Sequence, residues 1–200
     1  LKTLSIVTIV FLLTGIVTGC AARYSGMVAT ASEVTPATQQ ENERFARMLN
    51  LDDPQDFEDA GRGFIARPTG KIINAMGGVV LDFDALQFID GKAPQTVNPS
   101  LWRHALLNAR IGLFKVTDGI YQVRGFDIAN MTLIEGSSGW IVVDPLSCKE
   151  TAEAAIAFAR KHLGNKPVSA IVFTHSHIDH FGGVFGVTSI QDVASRKIPV

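Results

Sequence analysis

Val168-Ser169-Ala170-Ile171-Val172-Phe173-Thr174-His175-Ser176-His177-Ile178-Asp179-His180-Phe181-Gly182-Gly183 is the stretch on which the reading of this chain turns. From Val168 to Phe173 it is a near-continuous apolar run, short enough for a strand buried on both faces. Positions 175 to 180 then hold three of the chain's five histidines and an aspartate. Histidines two apart on extended backbone project to the same side, so His175 and His177 can converge on one ion. Asp179 and His180, where the chain turns, can offer an oxygen and a nitrogen to a neighbouring ion. Imidazole and carboxylate suit zinc at about 2.0 to 2.2 Å, and iron or manganese accept the same donors. Gly182 and Gly183 let backbone approach such a site closely. A surface histidine cluster holding no metal is the plain alternative, but the end of a buried strand is where α/β folds place their chemistry.

Upstream of this stretch, Ser147 and Glu150 are spaced as a capping box, and Ala152, Ala155, Ile156, Ala159 and Leu163 repeat on one face of a helix. Arg160, Lys161 and His162 complement the negative end of that helix, Gly164 can take a left-handed cap, and Pro167 forbids continuation. Strands are predicted at 113–116, 120–123, 131–135 and 140–143, separated by Asp118-Gly119 and by 136–139, which makes an antiparallel meander. The last of them, the helix and the strand 168–173 form a crossover unit, so the histidine loop emerges at the carboxyl edge of the sheet.

The segment 39–111 is a loop-rich lead-in. Helices are predicted at 41–51 and 55–60 and from Leu101 to about Arg110, the last capped by Ser100, with an alternating stretch at 79–83. Ahead of it, 20–38 is rich in small and polar residues and reads as a tether. Lys2 and the apolar stretch Leu4 to Val17 read as a secretory signal, 1–19, too short for a comfortable membrane span. Val17-Thr18-Gly19-Cys20 resembles a bacterial lipobox, which makes Cys20 a lipidation site and the protein exported, periplasmic and anchored to a membrane through its N-terminus. Ordinary cleavage near Ala29-Thr30-Ala31 is the alternative. A leading Leu1 fits an alternative start or a piece of a longer reading frame.

Composition narrows the function. Hydrophobic residues are 46% of the 200 and charged residues 18%, enough apolar material for a core and too much for a disordered chain. With 18 basic against 19 acidic residues the net charge is -1, which gives no field for gathering nucleic acid. Two cysteines, Cys20 and Cys148, make neither a disulfide framework nor a close metal-binding pair. His104 and His162 read as packing or surface residues, Cys148 as a small buried thiol, and Arg124 with Asp127 as a turn ion pair. Trp102 and Trp140 read as core.

HxHxDH after an apolar strand resembles the signature of the metallo-β-lactamase superfamily. The resemblance implies an α/β fold, the αβ/βα sandwich, with 112–200 as the first half of that domain. It also implies that His175 and His177 bind one metal, that Asp179 and His180 bind a second, and that a water activated between them attacks the substrate. Asp144, closing Trp140-Ile141-Val142-Val143, matches the aspartate that supports the metal loop from behind. A narrower resemblance, carried by DFEDAGRGFIA (56–66), TVNPSLWRH (96–104), GLFKVTDGIYQVRGFDIANMTLIEG (112–136), GWIVVDPL (139–146) and THSHIDHFGGV (174–184), is to the alkyl sulfatase branch. That branch implies two zinc ions, a homodimer and hydrolysis of linear alkyl sulfates such as dodecyl sulfate to alcohol and inorganic sulfate. Another hydrolase of the superfamily, such as a lactonase, thioesterase or β-lactamase, is the alternative.

The family pattern places further acidic and histidine ligands later in the chain. Only 20 residues follow His180, with Asp192 their one acid and no histidine. The expectation is therefore a piece of a larger enzyme that does not turn over substrate alone, with an inactive truncated lipoprotein as the reading of a different class.

Overall fold

The computed structural model describes residues 33–200. The signal segment, Cys20 and most of the tether lie outside the described residues. The last part of the stretch read as tether is helical: α1 runs Pro36–Met48, five residues ahead of the predicted start at Glu41. Thr35 accepts from the Thr38 amide at 3.2 Å and proline occupies the first turn, a start signal stronger than the small-residue composition around it. The helix α2 spans Gln55–Gly61. Three short strands follow, β1 (Phe64–Ala66), β2 (Lys71–Ile73) and β3 (Val79–Asp82). The first two escape a pattern reading because three residues between glycines and prolines carry no period.

The next helix, α3, runs Pro99–Asn108 and is capped by Asn98, not Ser100. Pro99 has no amide to satisfy and takes the first helical position, so the residue before it becomes the cap, accepting from Ser100 N at 2.9 Å. Trp102 is buried from this helix and donates its indole N–H to Gly91 O at 3.0 Å.

From Gly112 the chain builds the sheet: β4 (Gly112–Thr117), β5 (Ile120–Arg124), β6 (Met131–Glu135), β7 (Trp140–Val143), then α4 (Lys149–Leu163) and β8 (Val168–Val172). Strand order is β1-β4-β5-β6-β7-β8, antiparallel except for the β7–β8 pair, which is parallel across α4. The predicted meander and crossover are both present. After β8 come three short helices, α5 (Ile178–Phe181), α6 (Val184–Val187) and α7 (Ile190–Arg196). Among the described residues no helix is long and apolar enough to cross a membrane.

The core lies between the sheet and α4. Val123, Met131, Leu133, Trp140, Val142 and Ile171 are buried against Ala152, Ala155, Ile156 and Ala159, with Leu163 partly buried beside them. Three alanines on that face leave Ile156 as the one large side chain of the helix that is fully buried, with Phe158 and Leu163 partly buried against the same core. Alternate positions on the sheet, Ile120, Ile134, Ile141 and Ala170, are only half-buried. The strand predicted to be buried on both faces is therefore buried on one: Val168 and Ile171 are enclosed, whereas Val172 and Phe173 are 45% and 36% exposed.

Candidate metal centre

The parallel β7–β8 pair sets the site. In register, Val143 lies opposite Val172, so Asp144 and the residues from Phe173 onward leave the sheet side by side. The Asp144 amide donates to Val172 O at 2.9 Å, and Asp144 then takes φ 55°, left-handed backbone that a non-glycine residue rarely adopts. This turn places its carboxylate beneath the histidine loop with only 7% of the residue exposed.

Asp144 is saturated by that loop. Oδ1 accepts from the Thr174 amide at 2.8 Å, while Oδ2 accepts from Thr174 Oγ1 at 2.7 Å and faces His180 Nδ1 at 2.8 Å. Burial pushes its carboxyl up, and the bonds from the Thr174 amide, His180 and the Thr174 hydroxyl outweigh it, holding the group below the usual carboxylate range. An ionised carboxylate only accepts, so His180 Nδ1 carries a proton, and in the neutral imidazole the lone pair is then on Nε2. The Thr174 hydroxyl spends its one hydrogen on Asp144. The 3.0 Å contact with His175 Nδ1 then requires that nitrogen to donate, which leaves the lone pair of His175 on Nε2 as well. Two of the three histidines are thus presented in the same tautomer by one buried aspartate.

The remaining donors gather on the same loop. The ring centres of His175 and His177 are 4.7 Å apart and those of His175 and His180 are 4.0 Å apart. His180 Nε2 stands 3.3 Å from Asp179 Oδ2. Two lone-pair atoms at that separation repel unless a proton or metal ion lies between them, and ligand atoms on a zinc tetrahedron with bonds near 2.1 Å are about 3.4 Å apart. Among the described residues no group of three or more His, Cys, Asp or Glu side chains is already converged on an ion position. The donor set nonetheless fits zinc in kind, in tautomer and, for the Asp179–His180 pair, in spacing.

Other residues singled out in the sequence stand apart. His104 is exposed on α3, and His162 is exposed on α4 with its ring edge-on to Phe158 at 4.8 Å. Cys148 is half-buried, its Sγ 3.3 Å from Thr151 Oγ1. Two expectations are corrected. Ser147 forms no capping box with Glu150: Cys148 is the cap residue of α4, without a side-chain cap bond, and Ser147 Oγ donates instead to Asp127 Oδ1 at 2.5 Å. Nor does Arg124 pair with Asp127. Its guanidinium stacks on Phe114 and donates to Gln122 and to Ala60 O, while Asp127 serves Ser147 and Thr151. Partners 20 and 24 residues away outcompete one three residues away because they bring aligned hydroxyl and amide donors. Thr174, which links Asp144 to His175, carries no signal that spacing alone discloses.

Residues 124–200 match the model described as "Metallo-beta-lactamase superfamily". Over most of its length the chain is similar to alkylsulfatases. It is 45% identical over 172 residues to the alkyl/aryl-sulfatase BDS1 of Saccharomyces cerevisiae, covering 85% of this chain and 27% of that one. It is 48% identical over 171 residues to an (R)-specific secondary-alkylsulfatase of Pseudomonas sp., covering 85% and 25%. The solved structure of the stereoselective inverting sec-alkylsulfatase Pisa1 from Pseudomonas sp. superposes with a TM-score of 0.79 at 47% identity, over 84% of this chain and 26% of that one. The chain spans about a quarter of the length of the relatives it matches.

Proposed function

We propose that this chain carries the histidine-loop part of the metal centre of a zinc-dependent hydrolase of linear alkyl sulfate esters. The observation that supports it most is the Asp144 hub, which fixes His175 and His180 with Nε2 free for an ion. Orienting a ligand histidine through its other nitrogen is what carboxylates behind metal sites do. His175 and His177 are assigned to one zinc, Asp179 and His180 to a second, and Asp144 to support both through Thr174 and His180. Zinc bound there supplies positive charge against the sulfate ester anion and lowers the pKa of water.

The protein's own residues do the remainder. Asp144 keeps the proton of His180 on Nδ1, so Nε2 is the nitrogen that offers its lone pair toward the ion. Thr174 does the same for His175. The alkyl sulfatase relatives support sulfate ester cleavage as the reaction of the whole protein, and linear chains of the dodecyl sulfate type are proposed as substrate. Export, lipid anchoring at Cys20, a periplasmic location and a homodimer complete the proposal.

Release of inorganic sulfate from dodecyl sulfate by the whole protein tests it. His175→Ala is expected to lower the rate by about 10² or more, the scale on which removing a metal ligand acts, whereas His104→Ala on the exposed side of α3 leaves it unchanged. Equal loss in both variants contradicts the assignment.

A further inference from the structure

We propose that Asp127 is a positioning residue for the metal loop, acting from the far end of the strap formed by residues 144–149; this rests on the metal reading above. Four donors converge on its carboxylate. Oδ1 accepts from Ser147 Oγ at 2.5 Å and from the Ile128 amide at 2.7 Å, and Oδ2 accepts from Thr151 Oγ1 at 2.6 Å and from the Ser147 amide at 3.1 Å. Thr151 is buried, and Asp127 itself is half-buried between β5 and β6. The carboxylate thereby joins the β5–β6 connection to the first turn of α4, pinning the strap that runs between β7 and that helix.

The strap is the surface on which the metal loop rests. Gly183 N donates to Leu146 O at 2.8 Å. A Cβ on Gly182 would overlap Ser147 O, and one on Gly183 would overlap Pro145 O and meet Cys148 O at 2.6 Å. The turn after Asp179 and His180 is therefore seated backbone against backbone on residues 145–148, with no side chain to absorb a shift. Two of those strap residues, Asp144 at φ 55° and Leu146 at φ 65°, are non-glycine residues in left-handed backbone. Such conformations are disfavoured for residues that carry a Cβ and persist only where neighbours over-determine them. Asp144 is held at its end by Thr174 and His180; Asp127 supplies the hold at the other.

In this arrangement Asp144 orients the rings and Asp127 fixes the height of the platform beneath them. Loss of Asp127 frees Ser147 and Thr151, lets the strap relax toward ordinary backbone, and moves the seat of Gly182 and Gly183. His180 and Asp179 move with it, although neither touches Asp127.

Amide hydrogen exchange, read residue by residue, and zinc affinity of the same protein test this. Asp127→Ala is expected to speed exchange at Gly183 by about tenfold or more while amides within the β4–β5 pair keep their wild-type rates, and to weaken zinc binding by about 10- to 100-fold. Thr151→Val, which keeps shape and removes the hydroxyl donor, should show the same pattern more weakly, and Thr151→Ser should restore it; this pair decides the matter if Asp127→Ala does not fold. Unchanged protection at Gly183, or equal acceleration across the sheet, overturns the positioning role. Zinc content that is the same in wild type and His175→Ala overturns the metal reading instead, and the exchange result stands apart from it.

Discussion

Asp144 concentrates the consequences at the scale of a single side chain. Replacing it with alanine strands the Thr174 amide and His180 Nδ1 and removes the compensation for a left-handed residue. A loss of about 2 to 4 kcal/mol in urea unfolding is expected. Asp144→Asn keeps the shape and one acceptor, so stability falls less, but the amide cannot hold both Thr174 and His180 as a carboxylate does. The pH dependence follows from its lowered pKa. A depressed carboxyl stabilises the fold fully above its unfolded value of 3.8, and the contribution drains away as pH falls through the lower folded value. Urea midpoints should therefore be flat with respect to this group from pH 5 to 7 and fall more steeply below about pH 4 in wild type than in Asp144→Asn. Identical acid limbs in the two proteins would contradict the hub.

Among the elements, the docking of the α5–α6 junction on the strap gives a direct test. Gly183→Ala drives a Cβ into Pro145 O and Cys148 O, and backbone cannot yield as a flexible side chain does, so a loss of about 1 to 3 kcal/mol is expected in thermal or urea unfolding. A neutral effect would mean that the loop is not seated there. The same elements show what sequence discloses. The strands from β5 to β7 and the buried face of α4 were legible because period and turn residues act locally: Ala152, Ala155, Ile156 and Ala159 all face the sheet as their spacing predicts. The cluster of three histidines and an aspartate was legible for the same reason, packed into six consecutive positions. Cap identity was less so, since Asn98 wins over Ser100 only through the proline between them. The part played by Asp127 was not legible at all, because its partners lie 20 and 24 residues away and only the folded sheet brings them within reach.

For the molecule as a whole, a sheet closed on one side by α4 delivers a histidine loop to its edge and holds it with two aspartates, one under the rings and one under the platform. Ile120, Ile134, Ile141 and Ala170 keep the other side of the sheet apolar and half-buried. The near balance of charge, -1 over 200 residues, provides no long-range field that would gather an ion of either sign. Zinc bound per chain in the purified whole protein, measured by mass spectrometry beside a His177→Ala, His180→Ala double variant, tests the central claim most directly. Stoichiometric zinc in the wild type and its loss in the variant, with the fold retained, is the expected result. Equal zinc in both, or none in either after zinc is supplied, would contradict it.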